Sequence, residues 1–422
     1  MKEIDSIKAA SRSALSFFLA VIAISAAHGC SGSQADSGSD KAKYIFLFIG
    51  DGMGASHVAA AESYLSYKDG KIGGDQLTFT RFPVLGMATT YSANRHITCS
   101  SAAGTAIACG EKTNNGYLCV DPDGNRLESI AYKLHKEGYN IGIMSSVPVN
   151  HATPAAFYGH NISRDAYYEI SMEIPQSGFE FFAGDGFIDF NGKDGKSEPI
   201  SRYLKEKGAT VCFSEKEFEE NKDSARQMIL CQPSSKGEDA EAYVVEEEKE
   251  SDFSLSEMVS SCLEFIGEEE PFFIMCEGGD IDWAAHDNMT MSMISDIMNL
   301  NGAVDVAYEF YKKHPDQTLI LVTADHETGG VALGGPEGSS KRGDFINWDV
   351  YEEDTPQEGR SFDRKHNKDL NMSANIGWTT NGHTGAPVPV YSIGKGAEKF
   401  SGRMDNTDIS KKILCMEQEG QI

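Results

Sequence analysis

Phe272–His286, FFIMCEGGDIDWAAH, runs an apolar segment directly into a cluster of carboxylates and a histidine. Phe272–Cys276 reads as a buried β-strand. Glu277 then falls at its carboxyl end, where open α/β sheets place their ligands. Asp282 and His286 stand four apart. On a helix beginning near Asp282 they share a face and offer Zn²⁺ a carboxylate oxygen and an imidazole nitrogen. Taken alone, the same residues equally describe an acidic helix start with Asp282 as N-cap. The balance shifts because the chemistry recurs in IFLFIGDGMG at Ile45–Gly54, LILVTADHETGG at Leu319–Gly330 and NGHTG at Asn381–Gly385.

The chain has 422 residues, enough for one large α/β domain or two ordinary ones. Its formal net charge of −27 argues against nucleic acid or an anionic membrane as partner, because such binding requires Lys and Arg to neutralise phosphates. An anionic substrate would need local positive charge, which bound divalent metals supply. At the N-terminus, Lys2, Lys8 and Arg12 precede the apolar run Ala14–Ala27, too short for a comfortable membrane span, and then Ala27-His28-Gly29-Cys30. With the polar stretch Ser31–Asp40 behind it, this resembles a bacterial lipoprotein cleavage site with Cys30 lipidated. An ordinary cleaved signal peptide is the simpler reading. Either way residues 1–41 form an export segment and linker outside the fold, and the expected location is periplasmic or anchored to a bacterial membrane. Of nine cysteines, eight remain when Cys30 is set aside, without a CxxC pair, and their pairing is left open. Cys276, in an apolar strand, reads as a buried small hydrophobe.

Along the chain, Lys43–Ile49 predicts the first core strand and Gly50-Asp51-Gly52-Met53-Gly54 a glycine-rich turn into a helix over Ser56–Tyr67. Phe82–Tyr91 predicts a strand, Ser100–Cys109 a helix, Leu127–Lys136 a helix, Tyr139–Ser145 a strand and Phe179–Ala183 a short strand. That alternation belongs to a parallel sheet. Residues 185–250 turn polar around short segments such as Ala209–Phe213 and Tyr243–Val245, with Glu246–Glu248 as a solvated turn. Ser254–Gly267 and Met291–Lys313 predict helices, Thr318–Thr323 and Pro389–Ile393 strands, and residues 334–370 a second insertion.

The residues able to carry chemistry are Asp51, Ser100, His151, Thr153, Arg164, Glu277, Asp282, His286, Asp325, His326 and His383. So far apart in sequence, they meet only if each sits at the carboxyl edge of one sheet. Four carboxylates with several histidines hold two or three divalent ions, and two ions about 3.5–4 Å apart suit in-line phosphoryl displacement. Ser100 at a helix N-terminus suits a nucleophile, and Arg164 can grip two phosphate oxygens.

With these residues in place, the chain resembles the alkaline phosphatase family of metal-dependent phosphomonoesterases from Ile45 to about Gly394. Thr98-Cys99-Ser100-Ser101-Ala102-Ala103-Gly104-Thr105-Ala106 matches the family's nucleophile motif in register and selects Ser100 over Ser101. The resemblance implies an α/β three-layer sandwich, a central mostly parallel sheet with helices on both faces, as one catalytic domain over 42–422. It implies two Zn²⁺ and one Mg²⁺. Asp282, His286 and His383 would bind the first zinc, and Asp325, His326 and Asp51 the second. Asp51, Thr153 and Glu277 would bind the magnesium, and Ser100 with Arg164 the phosphate. His151 and Trp283 would tune these sites from behind, with core packing as the other reading of Trp283. Homodimers are common in the family, but the sequence identifies no interface.

The activity so implied is hydrolysis of small phosphate monoesters through a phosphoserine. Thr153, Glu277 and Arg164 favour monoesters over the diesters cleaved by related two-zinc enzymes. A non-catalytic binder of phosphate or metal is the rival from another class. One departure stands out: Cys99 occupies the place where the family commonly has an Asp that orients the arginine.

Overall fold

The computed structural model describes residues 41–232, 252–335, 345–354 and 364–415. The apolar export run with Cys30, the Tyr243–Val245 segment, Glu246–Glu248 and much of the 334–370 stretch lie outside the described residues.

Ten strands form one large sheet among the described residues: β1 (Tyr44–Gly50), β2 (Val84–Thr89), β3 (Asn140–Ser145), β4 (Phe181–Gly184), β5 (Thr210–Cys212), β6 (Met228–Cys231), β7 (Phe272–Gly278), β8 (Thr318–Ala324) and, after four short strands, β13 (Val388–Gly394) and β14 (Gly402–Asp405). The short strands are β9 (Glu327–Thr328), β10 (Val331–Leu333), β11 (Ile376–Trp378) and β12 (His383–Thr384). The sheet runs in the order β14-β2-β13-β8-β1-β7-β3-β4-β6-β5. Its pairings are parallel except for those of β13, which lies antiparallel between β2 and β8.

The central strands are apolar without alternation because both faces are covered. Every residue of β1, β7 and β8 is buried. On one face Phe272 meets Phe310 of the helix Thr290–Lys313 edge-on, ring centroids 5.3 Å apart. Its neighbour Phe273 points the other way, to Phe157, at 6.1 Å. Phe157 stands in the turn just after the helix Ala152–Ala155, which packs on β3 and β7, so helices lie on both faces, as the resemblance implied. Each such ring removed from water contributes roughly 1.5–3 kcal/mol.

Most elements fall within a residue or two of their predicted bounds. The strand expected over Phe82–Tyr91 is shorter, Val84–Thr89, and the helix expected from Leu127 starts at Ile130, where Ser129 accepts a cap bond from the Tyr132 N–H. The helix after β7 begins at Asp280 with Gly279 as its cap residue, so Asp282 is not the N-cap that one reading offered. Two sheet strands, β6 and β14, were not foreseen. At four residues each they carry too little periodicity to stand out.

Candidate metal centre

Strand register brings the site together. Gly50 lies opposite Gly278 of β7 and Ala324 of β8, so the residues at or just past these strand ends share one edge. Asp51 follows β1, Glu277 is the penultimate residue of β7, and Asp325 and His326 follow β8. Ser145, at the end of β3, pairs with Glu277 and donates its hydroxyl hydrogen to Glu277 Oε2. The turn after β1 needs a glycine at 52: its φ is +70°, and a Cβ there would stand 2.9 Å from Asp282 Oδ1.

Three further pieces close over this edge. The helix Ser100–Cys109 puts Ser100 in its first turn, with Oγ 3.3 Å from His326 Nε2. The helix Asp280–His286 places Asp282 Oδ2 3.2 Å from His286 Nε2. β12 pairs with β9 and delivers His383, whose Nε2 is 3.8 Å from Asp282 Oδ1. Ser100, Asp51, Thr153, Glu277, Asp282, Asp325 and His326 are all buried, whereas the side chain of His286 stays 35% exposed at the mouth.

Among the described residues, potential ligand atoms form three overlapping groups, each within 4.8 Å: Asp282 with His286 and His383, Asp51 with Asp282 and His326, and Asp51 with His151 and Glu277. The first matches the expected first-zinc set. The second includes Asp282 as a shared carboxylate, with Asp325 Oδ2 3.2 Å from His326 Nε2 beside it. The third brings in His151, expected only to tune the sites from behind. Thr153 lies against the same group, its Oγ1 donating to Asp51 Oδ2 at 3.4 Å.

The chemistry of these groups calls for cations. Asp51 Oδ1, Glu277 Oε1 and Asp325 Oδ2 are buried and have no hydrogen-bond partner. Burial first, then the neighbouring carboxylates Asp325, Asp282 and Glu277, pushes Asp51 well above the ordinary carboxylate range. Asp325 is pushed up to about 8 by burial and Asp282, and Glu277 to about 7 by burial. Asp282 differs: burial opposes its charge, but the hydrogen bond from His286 and the charges of His326, His286 and His383 hold its carboxyl well below the usual range. His286 in turn rises to about 9 through that bond.

The histidine tautomers point the same way. His286 Nδ1–H donates to the Asn381 carbonyl at 2.7 Å and His383 Nδ1–H to the Thr98 carbonyl at 2.8 Å. Thr328 Oγ1 gives its hydrogen to Asp282 Oδ1 and so accepts from His326 Nδ1 at 3.2 Å. All three rings therefore turn Nε2 toward carboxylate oxygens, and a divalent cation there, taking the place of the proton on His286 Nε2, would satisfy the arrangement. Sequence reasoning missed Thr328, Asn381, Thr98 and Ser145. Each lies within two residues of a motif residue or at a strand end, the only signal available.

Arg164 is half-buried, and its Nη2 donates to His151 Nε2 at 2.8 Å. Burial, then Arg164, lowers His151 to about 3, so its ring is neutral. The Trp283 ring meets His151 edge-on at 5.7 Å. Burial works against the charge on Arg164, while Tyr167, Cys99, Asp51 and Asp282 around it favour that charge. The Cys99 Sγ accepts from the Gly116 N–H at 3.1 Å and touches Ser101 Oγ at 3.2 Å.

A sheet of this topology, with carboxylates and histidines gathered at its carboxyl edge beside a helix-borne serine, defines a metal-dependent hydrolase of the α/β class. The alkaline phosphatase family model matches residues 42–186 and 191–418, and the chain belongs to that family, whose members are phosphoric monoester hydrolases. It is 30% identical over 431 aligned positions to alkaline phosphatase 4 of Bacillus subtilis, covering 90% of each chain. It is 27% identical to the membrane-bound alkaline phosphatase of Bombyx mori, over 91% of this chain and 82% of that one. Among solved structures, the alkaline phosphatase of the Antarctic bacterium TAB5 aligns with a TM-score of 0.72 at 28% identity, over 89% of this chain and 98% of that chain. A variant of the TAB5 enzyme with Mg bound in its M3 site aligns with a TM-score of 0.71 at 27% identity, over 89% of this chain and 97% of that one.

Proposed function

We propose that this site hydrolyses phosphate monoesters through a phosphoserine on Ser100, using two zinc ions and one magnesium ion. The observation that carries the proposal is the set of three Nε2 atoms turned onto buried carboxylates, His286 and His383 onto Asp282 and His326 onto Asp51 and Asp325 oxygens that lack hydrogen-bond partners. Asp282, His286 and His383 would hold one zinc, and Asp325, His326 and Asp51 the other. Asp51, Thr153 and Glu277, with His151 in reach, would hold the third ion. The Mg-bound TAB5 variant supports a magnesium in that role. Divalent cations held there supply Lewis acidity, drawing charge from the attacking and leaving oxygens and making hydroxyl groups easier to ionise near neutral pH.

The chain's own residues do the rest. Ser100 Oγ loses its proton and attacks phosphorus, the bond to the leaving oxygen breaks, and that oxygen takes up a proton and departs as the alcohol. Arg164 offers two N–H groups to the non-bridging oxygens, and the N–H groups of the helix start add partial positive charge. Water then attacks the phosphoserine from the opposite side, Ser100 regains its proton, and inorganic phosphate leaves. Thr153, Glu277 and Arg164 favour monoesters because they gather positive charge for the extra phosphate oxygen. The export pattern before residue 41 supports an exported enzyme, with Cys30 as a lipid-anchored residue.

The test is hydrolysis of a chromogenic monoester against the matching diester by the zinc- and magnesium-supplied protein, beside Ser100→Ala. The monoester is expected to be strongly preferred and the variant slower by on the order of 10³-fold or more. Preference for the diester, or an Ser100→Ala variant as active as the parent, overturns the proposal. Metal and phosphate binding without turnover would instead mark a non-catalytic binder.

A further inference from the structure

The helix that begins at Ser100 ends at Cys109, whose Sγ lies 3.1 Å from the Sγ of Cys119. Both residues are buried, at 4% and 0% exposure. A disulfide bond is about 2.05 Å long, so closing it requires the sulfurs to approach by about 1 Å. The backbone at Cys119 is itself notable. Its φ is +45°, in the left-handed region that favours glycine, so a side chain placed there costs stability and calls for a reason. Its thiol does donate to the Ala156 carbonyl at 2.6 Å, but that contact leaves the Cys109 sulfur alongside it unexplained.

The segment between the two cysteines is threaded through the catalytic machinery. Asn115 Oδ1 accepts from the Cys99 N–H at 3.3 Å, and the Gly116 N–H donates to Cys99 Sγ at 3.1 Å. The Gly116 carbonyl accepts from the Arg164 N–H at 2.8 Å. Leu118 and Asn161 exchange both backbone bonds at 2.9 Å, and the Cys119 N–H donates to Thr105 Oγ1 at 2.9 Å, back on the serine helix. One loop thus spans from the nucleophile's helix to the segment bearing Arg164.

We propose that Cys109 and Cys119 form a disulfide that staples the end of the serine helix to the loop seating Arg164. In a chain read as exported, the oxidant is the disulfide of a thiol oxidoreductase or of oxidised glutathione. One cysteine thiolate attacks that disulfide and forms a mixed disulfide. The thiolate of the other then attacks the chain's own sulfur in that bond and expels the oxidant's thiol. Two electrons pass to the oxidant's sulfur pair and the two cysteine protons leave. The exchange belongs to folding, before the pair is buried.

The test maps thiols in the full chain, folded in an oxidised and reduced glutathione buffer, then denatured and alkylated without further reductant. Trypsin cuts at Lys112, between the two cysteines. The expected result is the peptide 96–112 linked to the peptide of Cys119, with Cys99 on it alkylated and fragmentation placing the bond at Cys109, and neither Cys109 nor Cys119 alkylated until reduction. Recovery of both as alkylated thiols, or of Cys109 joined elsewhere, overturns the bond. The kinetic arm rests on the reading of Arg164 as a phosphate ligand. Cys109→Ala, which leaves Cys119 a thiol able to donate to the Ala156 carbonyl, is expected to raise KM for a monoester about three- to tenfold while kcat and metal content hold. An unchanged KM overturns the staple's link to Arg164. Should the protein prove inactive on monoesters, the mapping still decides the bond on its own.

Discussion

Cys99 is the residue just before the serine helix, in extended backbone with φ −112° and ψ 164°, and no side-chain bond caps the helix from it. A thiol there does not cap the helix, and Arg164 donates to His151 Nε2. His151 has one lone pair while neutral: spent on Arg164, it is not available to a cation at the Asp51 and Glu277 oxygens. Under the proposed roles, one imidazole would then couple the grip on phosphate to occupancy of the third site. Cys99→Asp would supply both a cap and a carboxylate partner for Arg164. We expect it to tighten inhibition by inorganic phosphate about tenfold and to lower kcat by slowing product release. An unchanged inhibition constant, measured by competition against a chromogenic monoester, would show that Arg164 does not depend on this position.

Among the elements, the long helix Thr290–Lys313 both covers one face of the sheet and buttresses the short helix Asp280–His286. It carries a buried liability. Both carboxylate oxygens of Asp296 and one of Asp280 lack hydrogen-bond partners. Burial, then the Asp280 carboxyl, raises Asp296 well above its ordinary value of 3.8. The folded chain thus holds that proton to higher pH than the unfolded chain, so stability falls as pH rises through the interval between the two values. Asp296→Asn removes the dependence. It should raise Tm at pH 8, by the equivalent of roughly 1–3 kcal/mol, and the gain should vanish as the pH approaches the ordinary value of 3.8. Calorimetry at both pH values checks this, and an equal gain at each would count against the buried carboxylate as the cause.

For the whole molecule, cation binding and folding are linked. Four buried carboxylates converge where three core strands end, in a chain whose net charge is already −27. Ions that bind the folded site and not the unfolded chain stabilise by about 4 kcal/mol at a thousandfold excess over Kd. Exhaustive chelation of the metal-loaded protein should accordingly lower Tm by roughly 5–10 °C, with Zn²⁺ and Mg²⁺ restoring both Tm and turnover. A melting curve that chelation leaves in place would mean that the fold carries this repulsion without help from cations.

The sequence alone specified the apolar strands of β1, β7 and β8, because continuous burial on both faces writes an uninterrupted hydrophobic run, and it supplied the candidate ligand residues as carboxylates and histidines placed directly after such runs. Ser100 and Arg164 were candidates from a helix start and a lone guanidinium, and the match of Thr98–Ala106 to a family pattern selected Ser100 over Ser101. Tertiary structure decided what no local pattern encodes. β6 and β14 exist because neighbouring strands offer them an edge, not because four residues prefer extension. Thr328 and the carbonyls of Thr98 and Asn381 orient the histidines across long gaps in the chain. The placement of His151 between Arg164 and the buried carboxylates, and the meeting of Cys109 with Cys119, follow from how the loops return to the sheet edge. Ligand identity is a matter of side-chain chemistry, which the sequence states outright; ligand orientation depends on contacts between distant segments, which exist only once the chain has folded.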